Sequence, residues 1–126
     1  MEVPDGLRYT EDHEWLRSEG DQAVVGITAY AADELGDVVF VELPAVGRRL
    51  AAREVFGVIE SVKTASVLYT PIGGEIVEVN PALTGAPELV NSDPHGEGWM
   101  IRLRPDDPGA ADALLDAAAY RALIGA

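Results

Sequence analysis

Apolar residues alternate with polar ones along most of this chain, and the alternation predicts strands more often than helices. Between residues 7 and 19, Leu7, Tyr9, Trp15 and Leu16 are spaced among charges and predict one or two short strands. Ser18-Glu19-Gly20-Asp21 signals a turn, and Gln22 to Ile27 read as the next strand. Thr28 then suits the N-cap of a short helix ending at Leu35, with Gly36 as its stop. Residues 37–43 alternate again. The period places Val39, Val41 and Leu43 on one face, and Val38, Phe40 and Glu42 on the other.

Glu54 to Ile59 form a nearly continuous apolar strand, and Val67-Leu68-Tyr69 resume extended character. Between them lies a polar stretch, Glu60 to Ser66. Two strands around a short polar insert predict a β-hairpin spanning about residues 55–70. Pro71 and Gly73-Gly74 mark a turn before the alternating run Glu75 to Val79. Asn80-Pro81 suits the start of a helical turn, with Asn as cap and Pro at the first position. Residues 98–103 read as a last strand, and Asp107-Pro108 opens a C-terminal helix running over about 108–124. No linker or low-complexity segment divides the chain, so residues 1–126 are expected to form a single, mainly β domain.

Composition narrows the chemistry. The absence of cysteine excludes disulfides, cysteine-zinc sites and thiol nucleophiles on the chain itself. No apolar run approaches a membrane span, and Met1 to Asp5 carry no apolar signal core, so a soluble, cytoplasmic protein without a membrane role is expected. The 22 acidic against 9 basic residues give a formal charge of −13, which argues against nucleic acid as a partner. Such acidity either serves solubility alone or steers the chain toward basic patches on other proteins.

Eight of the nine basic residues are arginines, and the ninth, Lys63, is the chain's only lysine. It falls in the polar insert of the expected hairpin, where turn tips project toward solvent and other proteins. A lysine loses its proton far more readily than an arginine and then attacks activated acyl groups. An arginine cannot substitute in that role. The simpler alternative is an ordinary solvated lysine.

The segment Gly57-Val58-Ile59-Glu60-Ser61-Val62-Lys63-Thr64-Ala65-Ser66 resembles the lipoyl-attachment motif of the glycine cleavage system H-protein family. Further blocks follow that family in order: Asp12-His13-Glu14-Trp15, Val25 to Thr28, Leu35-Gly36-Asp37, Val39 to Pro44, Gly74-Glu75 through Asn80, Leu89-Val90-Asn91 and Gly98-Trp99. The resemblance implies a barrel-sandwich hybrid of the lipoyl/biotinyl carrier type, with two antiparallel sheets, short helices and a C-terminal helix. It implies lipoic acid in amide linkage to Lys63. It also implies a carrier that is not itself an enzyme, and a freely diffusing monomer suits that role. Such a carrier takes an aminomethyl group from a glycine decarboxylase (P protein) to an aminomethyltransferase (T protein). A dihydrolipoamide dehydrogenase (L protein) then reoxidises the arm. A lipoyl/octanoyl transferase or lipoate-protein ligase would attach the arm. Family precedent further places Glu14, Ile27, Ala31 and Leu35 along a groove for the arm, with core packing as their plainer role.

Other readings stand beside this one. The attachment motif alone also suits a lipoyl carrier for another acyl or relay pathway. A biotin carrier is disfavoured because Val62 and Thr64, not Met, flank the lysine. An unmodified binding domain would leave Lys63 incidental. His13 and His95, isolated and without cysteines, make a poor metal site, so none is expected. Trp15 and Trp99 read as core anchors. Gly57 and the Gly73-Gly74 pair read as backbone devices, not a phosphate loop. No Ser/His/Asp constellation is defensible from spacing.

Overall fold

The computed structural model describes residues 2–126. The chain begins with strands β1 (Arg8–Tyr9), β2 (Glu14–Glu19) and β3 (Gln22–Ile27), followed by helix α1 (Ala29–Leu35) and strand β4 (Val38–Glu42). Strands β5 (Arg49–Leu50), β6 (Val55–Ser61), β7 (Ala65–Tyr69) and β8 (Gly74–Val79) come next. Two single-turn helices, α2 (Ala82–Gly85) and α3 (Leu89–Ser92), lead into β9 (Ile101–Pro105), and helix α4 (Ala117–Ile124) closes the chain. The strands form two antiparallel sheets. One has six strands in the order β1-β2-β3-β9-β8-β5, and the other has three, β4-β6-β7.

The six-stranded sheet packs one face on the main core, and its other face is covered only over β1 to β3, where the run from Ala23 to Ile27 is buried throughout. Strands β8 and β9 alternate instead, with Glu75, Glu78, Arg102 and Arg104 forming ion pairs on the open part of that face. Leu16, Val25, Ile76, Ile101 and Leu103 point into a main core shared with Val41, Phe56, Ile59 and Leu68 of the smaller sheet. On the opposite face Tyr9, Trp15 and Val24 meet Ala117 and Tyr120 of α4. The three-stranded sheet has one covered face and one bare one.

Helix α1 forms where its flanking residues demand it. The Thr28 hydroxyl accepts from the Ala31 amide at 3.2 Å, and Gly36, at φ 77°, stops the helix. At the next turn, Asn80 Oδ1 accepts from the Ala82 amide at 3.1 Å, so the Asn-Pro pair does open α2.

Three expectations are corrected. The simple alternation in residues 37–43 is broken, because Val38 and Val41 are buried while Val39 and Phe40 are exposed. The register against β6 shifts between Val38 and Phe40, and the extra residue turns both intervening side chains outward. The C-terminal helix begins at Ala117, not near residue 108. Ala110–Ala113 form a 3-10 turn, and Leu115 pairs with Tyr9 through two backbone hydrogen bonds of 2.8 and 2.9 Å. That pairing holds residues 114–116 extended until Asp116 caps α4, accepting from the Ala119 amide at 2.8 Å. The last strand starts at Ile101 because residues 96–99 are still turning, with the Trp99 amide bonded to the Gly96 carbonyl. Trp15 is fully buried, and Trp99 packs partly buried against the same cluster, with the Arg102 guanidinium 5.5 Å from its ring.

Candidate functional site

Strands β6 and β7 pair from Val55↔Tyr69 to Glu60↔Ala65, which leaves Val62, Lys63 and Thr64 as an exposed tip. The tip is short and internally braced. Ser61 is buried, and its hydroxyl accepts from the amides of Lys63 (3.3 Å) and Thr64 (3.1 Å). The same hydroxyl lies 3.2 Å from the Thr64 carbonyl, to which it donates, and the Ser61 amide donates to that carbonyl at 2.8 Å. A second brace comes from outside the hairpin. The Val62 amide donates to the Asp37 carbonyl at 3.0 Å. Asn91 in turn clamps the residues on either side of Asp37. Its Nδ2 donates to the Gly36 carbonyl at 2.8 Å, and its Oδ1 accepts from the Val38 amide at 2.8 Å. Lys63 therefore stands on a fixed backbone with its own side chain free.

Beside the hairpin lies a groove of about 310 Å³. Its walls bring together all four residues marked by the sequence, Glu14 from β2, Ile27 from β3, and Ala31 and Leu35 from α1. Ile59 and residues 66–68 of the hairpin complete the opposite wall. Ile27 and Ile59 also belong to the main core, so the groove is the open edge of that core. A larger hollow, about 440 Å³, lies on the other side of α1 among Ala29, Ala32, Gly36 and Asn91, away from Glu14.

Glu14 is the most perturbed group in the groove. It is 2 % exposed, and burial pushes its carboxyl up from 4.5 to about 7. Two hydrogen bonds pull the other way: Thr10 Oγ1 donates to Oε1 at 2.7 Å, and the Tyr69 amide donates to Oε2 at 3.4 Å. Neighbouring Asp12 adds to the upward push, and Arg53 opposes it.

Sequence reasoning missed three features of this site. His13 was considered for metal alone, yet it lines the groove in a left-handed conformation (φ 70°), its ring tilted against Tyr30 with centroids 4.7 Å apart. Burial lowers its basicity below the ordinary histidine value. Tyr120 of α4 reaches across to join two groove elements, its hydroxyl 2.9 Å from His13 Nδ1 and 2.7 Å from Thr28 Oγ1. The bracing role of Asn91 was also invisible, although the residue stood in one of the recognised blocks. No local signal pointed to Tyr120, because its partners are 92 and 107 residues away. Among the described residues no group of three or more His, Cys, Asp or Glu side chains is placed to hold a metal ion. Nor is any helix long and apolar enough to cross a membrane.

Comparison with known proteins adds a different kind of observation. Residues 7–126 match a family model described as glycine cleavage H-protein. The glycine cleavage system H protein of Magnetococcus marinus is 61 % identical over 124 residues, covering 98 % of this chain and 89 % of that one. The protein of the same description from Bacteroides thetaiotaomicron is 57 % identical over 124 residues, 98 % of each chain. The crystal structure of a glycine cleavage system H protein from Mycobacterium marinum superposes with a TM-score of 0.90 at 42 % identity. That match covers 98 % of this chain and all of the other.

Proposed function

The chain belongs to the glycine cleavage H-protein family, and from that membership we propose that Lys63 is the residue on which it carries lipoic acid. Its role is that of the lipoyl carrier of the glycine cleavage system, a cosubstrate and not a catalyst. The observation that carries the site assignment is positional. The chain's single lysine stands exposed on a braced hairpin tip, beside a groove that opens onto the core.

The groove suits the group that Lys63 would hold. Ile27, Ala31, Leu35 and Ile59 offer apolar walls to a hydrocarbon chain, and Glu14 places a carboxyl among them. Lipoic acid in amide linkage supplies the pair of sulfurs that takes up the aminomethyl group, gives it up and is then reoxidised. The chain's own contribution is presentation and shelter. Lys63 Nζ provides the amine for the amide bond. Glu14 offers an oxygen to a cationic amine drawn into the groove, a charge-assisted hydrogen bond that favours the ionised carboxylate. Because burial holds that carboxyl near neutrality, its proton can leave when a cation arrives and return when it departs.

The partners follow from the same reading. They are glycine decarboxylase, aminomethyltransferase and dihydrolipoamide dehydrogenase for the cycle, and a lipoyl/octanoyl transferase or lipoate-protein ligase for attachment. The whole chain acts as one carrier domain.

Intact mass spectrometry after coexpression with a lipoylating enzyme tests the assignment. One lipoyl adduct is expected, mapping to Lys63. Lys63→Arg should fold as the wild type does, take no adduct and fail to support glycine-dependent bicarbonate exchange by the decarboxylase. An adduct on the arginine variant, or exchange retained by it, overturns the assignment.

A further inference from the structure

The exposed apolar side chains of this protein are unevenly placed. Seven large hydrophobic residues are exposed among the described residues, and five of them (Val39, Phe40, Val55, Val62 and Val67) lie on the three-stranded sheet or its hairpin tip. Phe40 is 48 % exposed, Val39 53 % and Val62 70 %. The strand register brings Phe40 beside Glu60, which in turn faces Ala65, in one row across the outer face. Phe40 therefore lies one strand from the hairpin and close to its tip. An uncovered aromatic on an open sheet face is a liability unless something covers it in use.

Charge is segregated in the same direction. Strands β4, β6 and β7 contain no basic residue, and their charges are Glu42 and Glu60. Five of the eight arginines lie within the six-stranded sheet, at positions 8, 17, 49, 102 and 104. Of the rest, Arg53 pairs with Asp12 and Arg121 with Asp5. Arg48 pairs with Glu54 and reaches the Val55 carbonyl, at the end of β6 remote from Lys63. Around the tip, Lys63 is thus the one cation in an apolar face edged by Asp37, Glu42 and Glu60.

We propose that this outer face, centred on Phe40 with Val39 and Val62, is where the enzyme that acylates Lys63 docks, through an apolar contact rimmed by lysine or arginine. The inference rests on the assignment of Lys63 as the attachment site. Proximity selects this occupant over the other partners. In acyl transfer the neutral Nζ attacks the carbonyl carbon of an activated acyl donor. A C–N bond forms, the bond to the leaving group breaks, the leaving group departs with the electron pair and Nζ releases a proton. The enzyme must bring its reacting carbon to Nζ itself, one lysine side chain from the backbone. Its surface then meets the residues flanking the tip. Enzymes acting on the far end of a completed arm stand off by the length of that arm. The acidic edge complements a basic rim and makes encounter sensitive to salt.

The test uses the full apo chain with purified lipoate-protein ligase, lipoate and ATP, and intact mass as the readout. Phe40→Gln is expected to raise the KM for the chain by about tenfold with kcat within about twofold, as for a contact made at docking. Val39→Thr, nearly isosteric, should raise KM less but in the same direction. Leu123→Gln removes an equally exposed apolar side chain from α4 and should leave KM unchanged. Raising salt from about 50 to about 300 mM should raise the wild-type KM. Once lipoylated, Phe40→Gln should support decarboxylase exchange at the wild-type rate. A KM unchanged in both Phe40→Gln and Val39→Thr overturns the docking face, as does a loss confined to kcat. Equal losses in decarboxylase exchange also overturn it, since the face would then serve another partner. The underlying assignment fails separately, if the wild type takes no adduct or Lys63→Arg takes one.

Discussion

Glu14→Gln should flatten the dependence of stability on pH across the neutral range. The folded chain holds the Glu14 proton up to about pH 7, whereas an unfolded chain releases it near 4.5. Between those values the native state binds more protons, so stability falls as pH rises through the window and levels off above it. The displacement is about 2.5 pK units, from 4.5 to about 7, and at about 1.4 kcal/mol per unit it amounts to about 3 kcal/mol. Glutamine carries no titrating proton, so this slope should vanish. The variant also incurs a constant offset of about 1 kcal/mol, because a neutral amide cannot accept from both Thr10 and the Tyr69 amide. His13 complicates the raw curves. Burial disfavours its charged form, so the unfolded chain protonates first and stability falls as pH drops below 6.5. That slope has the opposite sign and is common to both proteins, so it cancels in their difference. Urea unfolding at several pH values from about 4 to about 8 measures the difference. A wild-type minus variant difference that declines by about 3 kcal/mol across the range is expected. Parallel curves, differing by a constant, would refute the claim that burial holds the Glu14 proton.

Three further substitutions probe the supports of the site. Ser61→Ala removes the hydroxyl that bonds the Lys63 and Thr64 amides, and should cost about 1 kcal/mol. Amide hydrogen exchange at those two residues should quicken while exchange in β3 stays slow. Gly57→Ala would drive a Cβ into the Glu42 carbonyl oxygen, a backbone atom that cannot rotate away. Separation of β4 from β6 should lower thermal stability by about 1–3 kcal/mol, read from the unfolding transition. Tyr120→Phe leaves His13 Nδ1 and Thr28 Oγ1 without their shared partner and should cost about 1–3 kcal/mol. Nitrogen chemical shifts of the His13 ring, recorded alongside, should report the loss of that contact.

What the sequence discloses and what it hides divide along the range of the determining contacts. Helix α1 is legible because its cap at Thr28 and its stop at Gly36 lie within one short segment. The hairpin around Lys63 is legible for the same reason, since two apolar strands and a polar insert are contiguous. The start of α4 is not. A helical period continues through Leu114 and Leu115, but Tyr9, more than a hundred residues earlier, claims the backbone of Leu115 for a β-bridge. The faces of β4 were misread because a bulge, fixed by pairing with β6 and by Asn91, adds a residue that alternation cannot anticipate. Glu14 shows the limit most plainly. Its place beside a groove was legible through family resemblance, but its burial depends on Thr10, Tyr69 and a hairpin some fifty residues away.

The unequal covering of the two sheets gives the carrier role a structural logic. The six-stranded sheet is packed against the main core on one face and, over β1 to β3, against α4 on the other, and five of the eight arginines lie in its strands. Stability is therefore concentrated away from Lys63, and the smaller sheet is free to leave one face bare. A bare face carries a hazard for the attachment site, because packing on one side alone leaves the tip free to fray. The tip is instead held by directional contacts. Ser61 closes it from within, and Asn91 fixes Gly36 and Val38 so that the Asp37 carbonyl is fixed to receive the Val62 amide. These contacts engage backbone atoms and leave the Lys63 side chain and the outer face of the sheet unobstructed. A lysine buried more deeply would have a steadier backbone but no approach for an acylating enzyme, and an unbraced tip would offer the amine in many orientations. Hydrogen bonds beneath the tip, in place of side chains packed around it, satisfy both requirements.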